Sequence, residues 1–149
     1  NDAPSTVTRL LNMDIEPFLV TGALNVVVAQ RLCRKICEQC KEVDTSVTVE
    51  EIVACGITPN SAKNLKVYHG KGCDFCDGSG YKGRVAIYEV LEMTAGAREL
   101  VLKNCSSDDL KKQAIADGMK TLRMSALTKV AEGVTTLAEA IKNSSVDKL

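Results

Sequence analysis

Apolar positions recur at helical spacing near the start of the chain and again through its last third. In residues 2–13 the apolar side chains fall on one face, Asp2 stands at the capping position and Pro4 lies in the first turn, which predicts a helix. Later helices are predicted where Ser or Thr precedes a helical pattern, at residues 94–104, 106–118, 121–133 and from 136 onward. The C-terminal third is therefore predicted to be helical.

The pattern between these two regions is less regular. Pro17 lies near the start of residues 16–30. On a helix, the apolar side chains of this segment would cover most of the circumference, which predicts a second, largely buried helix. Residues 31–36 are predicted to be extended, and a capping box at Thr48 predicts a short helix ending near Gly56. Two strands are predicted from their β-forming side chains, at residues 65–69 and, after a glycine-rich turn, at residues 84–92.

Composition excludes several classes of protein. Lys plus Arg and Asp plus Glu are both 19, so the chain lacks the basic excess of a typical nucleic-acid binder. No run of about 18–20 apolar residues is present, so no membrane span is expected. No signal peptide is recognisable and the first residue is Asn1, so we expect a piece of a longer or processed protein.

Seven cysteines in a chain without a secretion signal indicate a reducing cytosol, where spaced cysteines are more often metal ligands than disulfides. Four of them form two CxxC pairs, Cys37 with Cys40 and Cys73 with Cys76. A CxxC turn aims two sulfurs at one point, and two such turns make a tetrahedral zinc site. Because four thiolates fill the coordination shell and leave no position for water, we expect a structural zinc ion.

Other interpretations of these cysteines were weighed. A redox dithiol is disfavoured because such motifs occur singly within a βαβ pattern, and the spacing matches neither ferredoxin pattern of iron–sulfur ligation. Two unconnected surface pairs are a further alternative. The remaining cysteines are expected to be small core or half-buried residues, with Cys33 the rival ligand among Cys33, Cys55 and Cys105. His69, the single histidine, is expected on a loop or the surface.

The motifs of common active sites are missing from these 149 residues. There is no GxxxxGK[ST] phosphate loop and no GxSxG, HExxH or GxGxxG. Acidic pairs such as Asp108–Asp109 are explained as charges at helix starts. We therefore predict an α+β fold that is mostly helical, with a small β-containing tetracysteine zinc subdomain and C-terminal helices, and no complete active site.

Several segments, in order, resemble one family. They are residues 1–10 (NDAPSTVTRL), 13–18 (MDIEPF), 29–32 (AQRL), 72–89 (GCDFCDGSGYKGRVAIYE), 118–122 (GMKTL) and 129–137 (KVAEGVTTL). Together they resemble the secretion ATPases, the hexameric motors of type II secretion and type IV pilus assembly. The resemblance departs at residues 124–126, where the family more often has an acidic residue and a glycine.

The resemblance implies the C-terminal part of a RecA-like ATPase domain at residues 1–36, a tetracysteine zinc subdomain at 37–92 and a helical subdomain at 93–149. It implies Cys37, Cys40, Cys73 and Cys76 as zinc ligands, with ATP and Mg²⁺ bound elsewhere in the full-length parent. It also implies a homo-hexamer in the bacterial cytoplasm, held at the inner-membrane face by a membrane platform and cytoplasmic components of the machine. Arginines are candidates for subunit contacts, with ordinary salt bridges as the alternative: Arg9, Arg31 and Arg34.

Two other functions compete with this interpretation. Residues 73–80 (CDFCDGSG) match the CxxCxGxG repeat of the J-domain chaperones, so a chaperone-like zinc module that binds polypeptide is the alternative. Only one copy occurs, and Cys40 is followed by Lys-Glu-Val rather than by a glycine pair. A nucleic-acid-binding zinc domain is disfavoured by the zero net charge and the 3% aromatic content.

Overall fold

The computed structural model describes residues 2–147, which contain both helices and short strands. In chain order these elements are α1 (Ala3–Asn12), α2 (Pro17–Ala23), β1 (Val26–Ile36), β2 (Lys41–Val43), α3 (Val49–Ala54), α4 (Pro59–Asn64), β3 (Tyr68–Gly70), β4 (Tyr81–Glu92), α5 (Ala95–Leu102), α6 (Ser107–Ala116), α7 (Leu122–Ala131) and α8 (Leu137–Asn143). The predicted α+β class is confirmed. Within the described range, every helix is too short or too polar to cross a bilayer.

The helix starts follow the capping residues in the sequence. Asp2 accepts a hydrogen bond from the Ser5 N–H at 2.9 Å, and Ser5 bonds back to the Asp2 N–H in a capping box. Four further helices begin after a Ser or Thr whose side chain accepts from the N–H three residues on: Thr48, Thr94, Ser106 and Thr136. Each cap satisfies an N–H group that the helix itself leaves unpaired, which confirms these predicted starts.

The predicted helix over residues 16–30 is wrong beyond Ala23. Helix α2 ends there, and residues 26–36 form the long strand β1. The three consecutive β-branched residues Val26–Val28 favour extended backbone, and pairing with β4 provides hydrogen-bond partners along one edge of the strand. Helix α2 is also less buried than predicted, because the Phe18 side chain is 71% exposed.

Strands β1 and β4 form a two-stranded antiparallel sheet. At one end the Cys37 N–H donates to the Gly80 carbonyl at 2.9 Å, and at the other the Met93 N–H donates to the Asn25 carbonyl at 2.9 Å. Strand β4 begins at Tyr81, three residues earlier than predicted. A second antiparallel pair joins β2 to β3, with Glu42 opposite His69. Strand β2 and helix α4 were not predicted, and β3 starts later than the predicted 65–69.

The chain divides into two compact units of interleaved segments. The first unit comprises residues 2–30 and 88–122 and has an aliphatic core drawn from α1, α2, α5, α6 and the adjoining strand segments. Several aliphatic side chains in this core are less than 10% exposed: Val7, Val27, Leu91, Val101 and Leu110.

The second unit comprises residues 31–87 and 123–147. Its buried apolar side chains include Ile36, Ile87 and Val130. The Arg123 guanidinium is 4% exposed and donates to the carbonyls of Cys55, at 3.3 Å, and Ser144, at 2.8 Å. These bonds tie the end of α3 to the segment that follows α8.

Candidate metal centre

Four cysteine sulfurs converge in the second unit. The Sγ atoms of Cys37, Cys40, Cys73 and Cys76 all lie within 4.8 Å of one another. Cys37 and Cys73 are 3.7 Å apart, Cys73 and Cys76 are 3.7 Å apart, and Cys40 and Cys76 are 3.9 Å apart. Ligands about 2.3 Å from a tetrahedral zinc ion would be ~3.8 Å apart. The separations therefore fit a tetrahedral thiolate site, and these four residues can hold a metal ion.

The two sheets bring the CxxC turns together. Cys37 directly follows β1, and its N–H bond to Gly80 fixes the first turn beside the start of β4. Cys40 directly precedes β2, and the Lys71 N–H donates to its carbonyl at 3.2 Å, just beyond the end of β3. Residues 44–67, which lie between β2 and β3, include helices α3 and α4. The long connection between the pairs therefore has structure of its own.

Two glycines pass each other beneath the second CxxC turn. A Cβ added to Gly70 would overlap the Gly80 carbonyl group, and one added to Gly80 would overlap the Gly70 carbonyl group. Gly80 also has a φ of +81°, in the left-handed region that side chains disfavour. Both positions therefore require glycine for the end of β3 to approach the chain that leads into β4.

Backbone N–H groups point at the sulfurs. The Cys73 and Gly80 N–H groups donate to the Cys76 Sγ at 3.3 and 3.2 Å, and the Gly72 N–H donates to the Cys40 Sγ at 3.3 Å. Desolvation raises the pKa of the Cys76 thiol, but the two N–H donors and hydrogen bonds with the Cys73 and Cys40 thiols together outweigh it and lower this pKa to about 6. Desolvation, together with its thiol neighbours, raises the pKa of Cys40 to about 12. Among the four thiols alone, Cys76 is thus more acidic than Cys40.

The other candidate ligands lie outside the cluster. Cys33 and Cys55 are buried and Cys105 is half-buried, which confirms the expected packing role. Burial raises the pKa of the Cys33 thiol, and its charged neighbour is Glu139 rather than another thiol. The His69 Nε2 lies 3.0 Å from a Glu42 carboxylate oxygen across the β2–β3 pair, so His69 is a half-exposed strand residue.

A polar network joins the strands that flank the metal centre, β1 and β4, to the start of α8. The Arg34 guanidinium and backbone N–H both donate to the buried Glu139 carboxylate, at 2.9 and 2.8 Å. The guanidinium also lies 4.0 Å from the centre of the Tyr81 ring, and the Tyr81 and Thr136 hydroxyls are 2.8 Å apart. Arg34 therefore forms an ordinary internal ion pair, one of the two alternatives predicted for it.

This network was not found from the sequence. Arg34 and Glu139 are 105 residues apart, and no local pattern links them. The cap at Thr136 predicts that a helix starts there but not what packs against that start. A second missed residue, Glu89, is 1% exposed in the first unit and accepts from the Leu122 N–H at 3.1 Å.

The sequence of the chain is similar to those of known proteins. Residues 1–142 match the family described as type II/IV secretion system protein. Type IV pilus assembly ATPase PilB of Myxococcus xanthus is 47% identical over 148 residues, covering 99% of this chain and 26% of the relative. PilB of Thermus thermophilus is 40% identical over 95% of this chain and 16% of the relative. Type II secretion system protein E of Pseudomonas aeruginosa is 34% identical over 95% of this chain and 28% of the relative.

Proposed function

Because this chain belongs to the type II/IV secretion system protein family, we propose that it is the metal-containing C-terminal region of a hexameric ATPase that powers type IV pilus assembly or type II protein secretion. The observation that carries this proposal is the match of residues 1–142 to the family, together with relatives named for both kinds of machine. The chain spans between 16% and 28% of the length of these curated relatives. Nucleotide binding and hydrolysis are therefore assigned to residues outside this chain.

The domain organisation is part of the proposal. Residues 1–36 complete a RecA-like ATPase domain, residues 37–92 form the metal subdomain and residues 93–149 form a helical subdomain. The lack of a phosphate loop in these 149 residues agrees with this division. Finding a phosphate loop upstream of residue 1 in the full-length protein is its simplest test.

The metal in this proposal is zinc, bound by Cys37, Cys40, Cys73 and Cys76. Four thiolates at tetrahedral spacing are typical of structural zinc, and no ligand position remains for a reacting water. Zinc supplies folding free energy to the two turns that carry its ligands. Its role is to hold the β1–β4 and β2–β3 pairs as one rigid body that transmits ATP-driven motion to a partner.

The partners and location follow from the same proposal. The motor is a homo-hexamer in the bacterial cytoplasm, held at the inner membrane through a membrane platform and other components of the machine. It does not use nucleic acid, in keeping with a net charge of zero.

The test replaces Cys37 or Cys76 with Ser in the full-length protein and measures pilus assembly or secretion in a strain that lacks the native copy. Both changes are expected to abolish zinc binding and to reduce pilus assembly or secretion at least about tenfold. The ligands of the first and the second CxxC turn are equally required. The matched control is Cys105→Ser, which changes a half-buried thiol outside the cluster. Normal output from zinc-free Cys37→Ser protein would exclude the coupling role, and output unaffected by deletion of the gene would exclude the proposed machine.

Polypeptide binding is the competing function, because residues 73–80 match one chaperone repeat and the Phe75 side chain on that turn is 54% exposed. Saturable binding of an unfolded protein that is lost in Phe75→Ser would favour it over the motor.

A further inference from the structure

A small cleft in the second unit is lined by residues from the segment that leads into α3, from β3 and from α8. Its volume is about 260 Å³, and its lining includes Asp44, Glu51, His69, Leu137 and Ile141. This volume is below the range of about 300–1,000 Å³ that is typical of small-molecule sites. The cleft therefore suits one long side chain better than a nucleotide or another organic ligand of that size.

The charge of the cleft is negative. Asp44 and Glu51 line it, and among the described residues that do so there is no Lys or Arg. The Ser46 hydroxyl and N–H donate to the Asp44 carboxylate, and these bonds, with His69 nearby, outweigh desolvation and lower the pKa of Asp44. His69 is the lining residue that can become cationic, and its Nε2 already lies 3.0 Å from a Glu42 carboxylate oxygen. The cleft is therefore complementary to a cation.

The spacing of the acidic groups distinguishes between the cations that could bind. Within the described part of the chain, only the four cysteines bring three or more ligand atoms within 4.8 Å of one another. Asp44, Glu51 and His69 do not converge in this way, so the cleft lacks the geometry of a metal site. A guanidinium is a planar fork with five N–H donors, and it can reach carboxylates that are too far apart to share a metal ion.

One side of the cleft is apolar. Leu137 and Ile141 line it from α8, and because they are four residues apart they lie on the same face of that helix. Leu137 is 5% exposed, whereas Ile141 is 51% exposed. An apolar residue next to the bound cation would cover Ile141, so the lining fits a short segment that is both basic and apolar.

We propose that the cleft binds the side chain of one arginine from a separate polypeptide, with an apolar neighbour of that arginine resting on Ile141. Asp44 and Glu51 hold the guanidinium. That the occupant belongs to another protein rests on the proposed function, in which the metal subdomain passes motion to a partner. The same two carboxylates repel phosphate groups, which disfavours nucleic acids and anionic membranes as occupants.

The test measures peptide binding to the metal-loaded full-length protein by saturation-transfer NMR, which detects weak ligands of large proteins. The probe is Ac-Leu-Arg-Leu-NH₂, and its control replaces arginine with citrulline, which has nearly the same shape but no charge. We expect saturable binding of the arginine peptide and binding of the citrulline peptide that is at least about threefold weaker. Equal binding of the two peptides, or no saturable binding of the arginine peptide, would overturn the proposal.

Two neighbouring glutamates provide a matched pair of variants. Both are in the first turn of α3, but Glu51 lines the cleft and Glu50 is not among its described lining residues. Glu51→Gln is expected to weaken binding of the arginine peptide at least about threefold, whereas Glu50→Gln should leave it unchanged. Equal effects of the two changes would mean that the peptide binds elsewhere and would contradict the proposal.

The apolar contact is tested with a second peptide, Ac-Gly-Arg-Gly-NH₂. Ile141→Ser is expected to abolish the preference for the leucine-flanked peptide, whereas Val146→Ser, at a 57% exposed position beyond α8, should retain it. An unchanged preference in Ile141→Ser would contradict the proposed contact. These measurements require neither ATP hydrolysis nor a pilus or secretion machine, so their failure is distinguishable from failure of the proposed function in the Cys37→Ser strain.

Discussion

Two glutamates are almost wholly buried, yet their surroundings shift their pKa values in opposite directions. Desolvation opposes ionisation of Glu139, but hydrogen bonds and charge from Arg34 outweigh it and lower the pKa of this carboxyl. Desolvation raises the pKa of Glu89, and the Leu122 N–H only partly offsets it. In the part of the chain that the structure describes, the Glu89 Oε1 has no hydrogen-bond partner. The two residues should therefore have opposite effects on stability as pH changes.

For Glu139 the stabilising form is the carboxylate. A lowered pKa in the folded state contributes stability above the ordinary pKa, and this contribution is lost as pH falls through the lowered pKa. Glu139→Gln is expected to lose about 2 kcal/mol of unfolding free energy at neutral pH, the worth of a hydrogen bond to a charged group. Urea denaturation across the acidic range should show this difference shrinking towards low pH. A difference that does not change with pH would contradict the assignment.

For Glu89 the sign is reversed. A raised pKa in the folded state means that the native protein binds this proton more tightly, so stability falls as pH rises from the ordinary pKa through the raised one. Glu89→Gln removes this ionisation and should gain stability relative to the unaltered protein as pH rises, in the same urea series. Glu89→Leu also leaves the buried Leu122 N–H unpaired and should cost about 1–3 kcal/mol at low pH. Parallel pH profiles for Glu89→Gln and Glu139→Gln would contradict the opposite environments described for the two glutamates.

At the scale of elements, the helix starts were predictable from the sequence. The choice between helix and strand for residues 24–30 was not. A capping side chain bonds the backbone N–H three residues on. Asp2 and Thr48 therefore mark the starts of their helices within a short window of sequence. Residues 24–30 suit either a buried helix or a strand, because a continuous apolar run has no period that separates the two. The strand forms because β4, which begins 45 residues after β1 ends, supplies a hydrogen-bonding partner.

The metal centre shows the same division. CxxC spacing predicted the two turns, and the structure brings all four of those cysteines together. Spacing alone did not indicate that Gly70 and Gly80 meet beneath the site, since that contact depends on the register of β2 with β3 and on the entry into β4. Non-local contacts of this kind have no signature within a short window of sequence.

The turn after Cys76 offers a direct test of that contact. Gly78 and Gly80 have φ values of +77° and +81°, but a Cβ would meet nothing within 4 Å at Gly78. Gly78→Ala should therefore cost about 1–2 kcal/mol from backbone conformation alone. Gly80→Ala should cost more than about 3 kcal/mol, because overlap with Gly70 is added to the same conformational penalty.

Denaturation of the metal-loaded proteins and their metal content by mass spectrometry measure this difference. Gly22→Ala is the positive control, because Gly22 is in helix α2 with open space around its Cα and should gain about 0.5–1 kcal/mol. Equal losses at positions 78 and 80 would mean that the two glycines do not approach each other as described.

For the whole molecule, metal removal should affect the two units unequally. The first unit has its own aliphatic core, whereas the second contains the proposed zinc ligands. A contribution of about 5 kcal/mol, below that of isolated zinc fingers, would lower Tm by about 10–20 °C on chelation. Hydrogen exchange with a strong chelator should show faster exchange first at residues 37–43 and 68–80, while α1 and α6 keep their protection. Simultaneous loss throughout would indicate that the units unfold as one.

The distance in sequence between Arg34 and Glu139 also sets an order of events during synthesis. At translation speeds of about 5–20 residues per second, the 105 residues between them take about 5–20 s to make. Both CxxC turns are synthesised well before Glu139, so all four cysteines are present while the Arg34 N–H still lacks its carboxylate. The Arg34–Glu139 bond can therefore form only after all four cysteines have been made, and a nascent chain that stops short of α8 has Arg34 without its ion-pair partner.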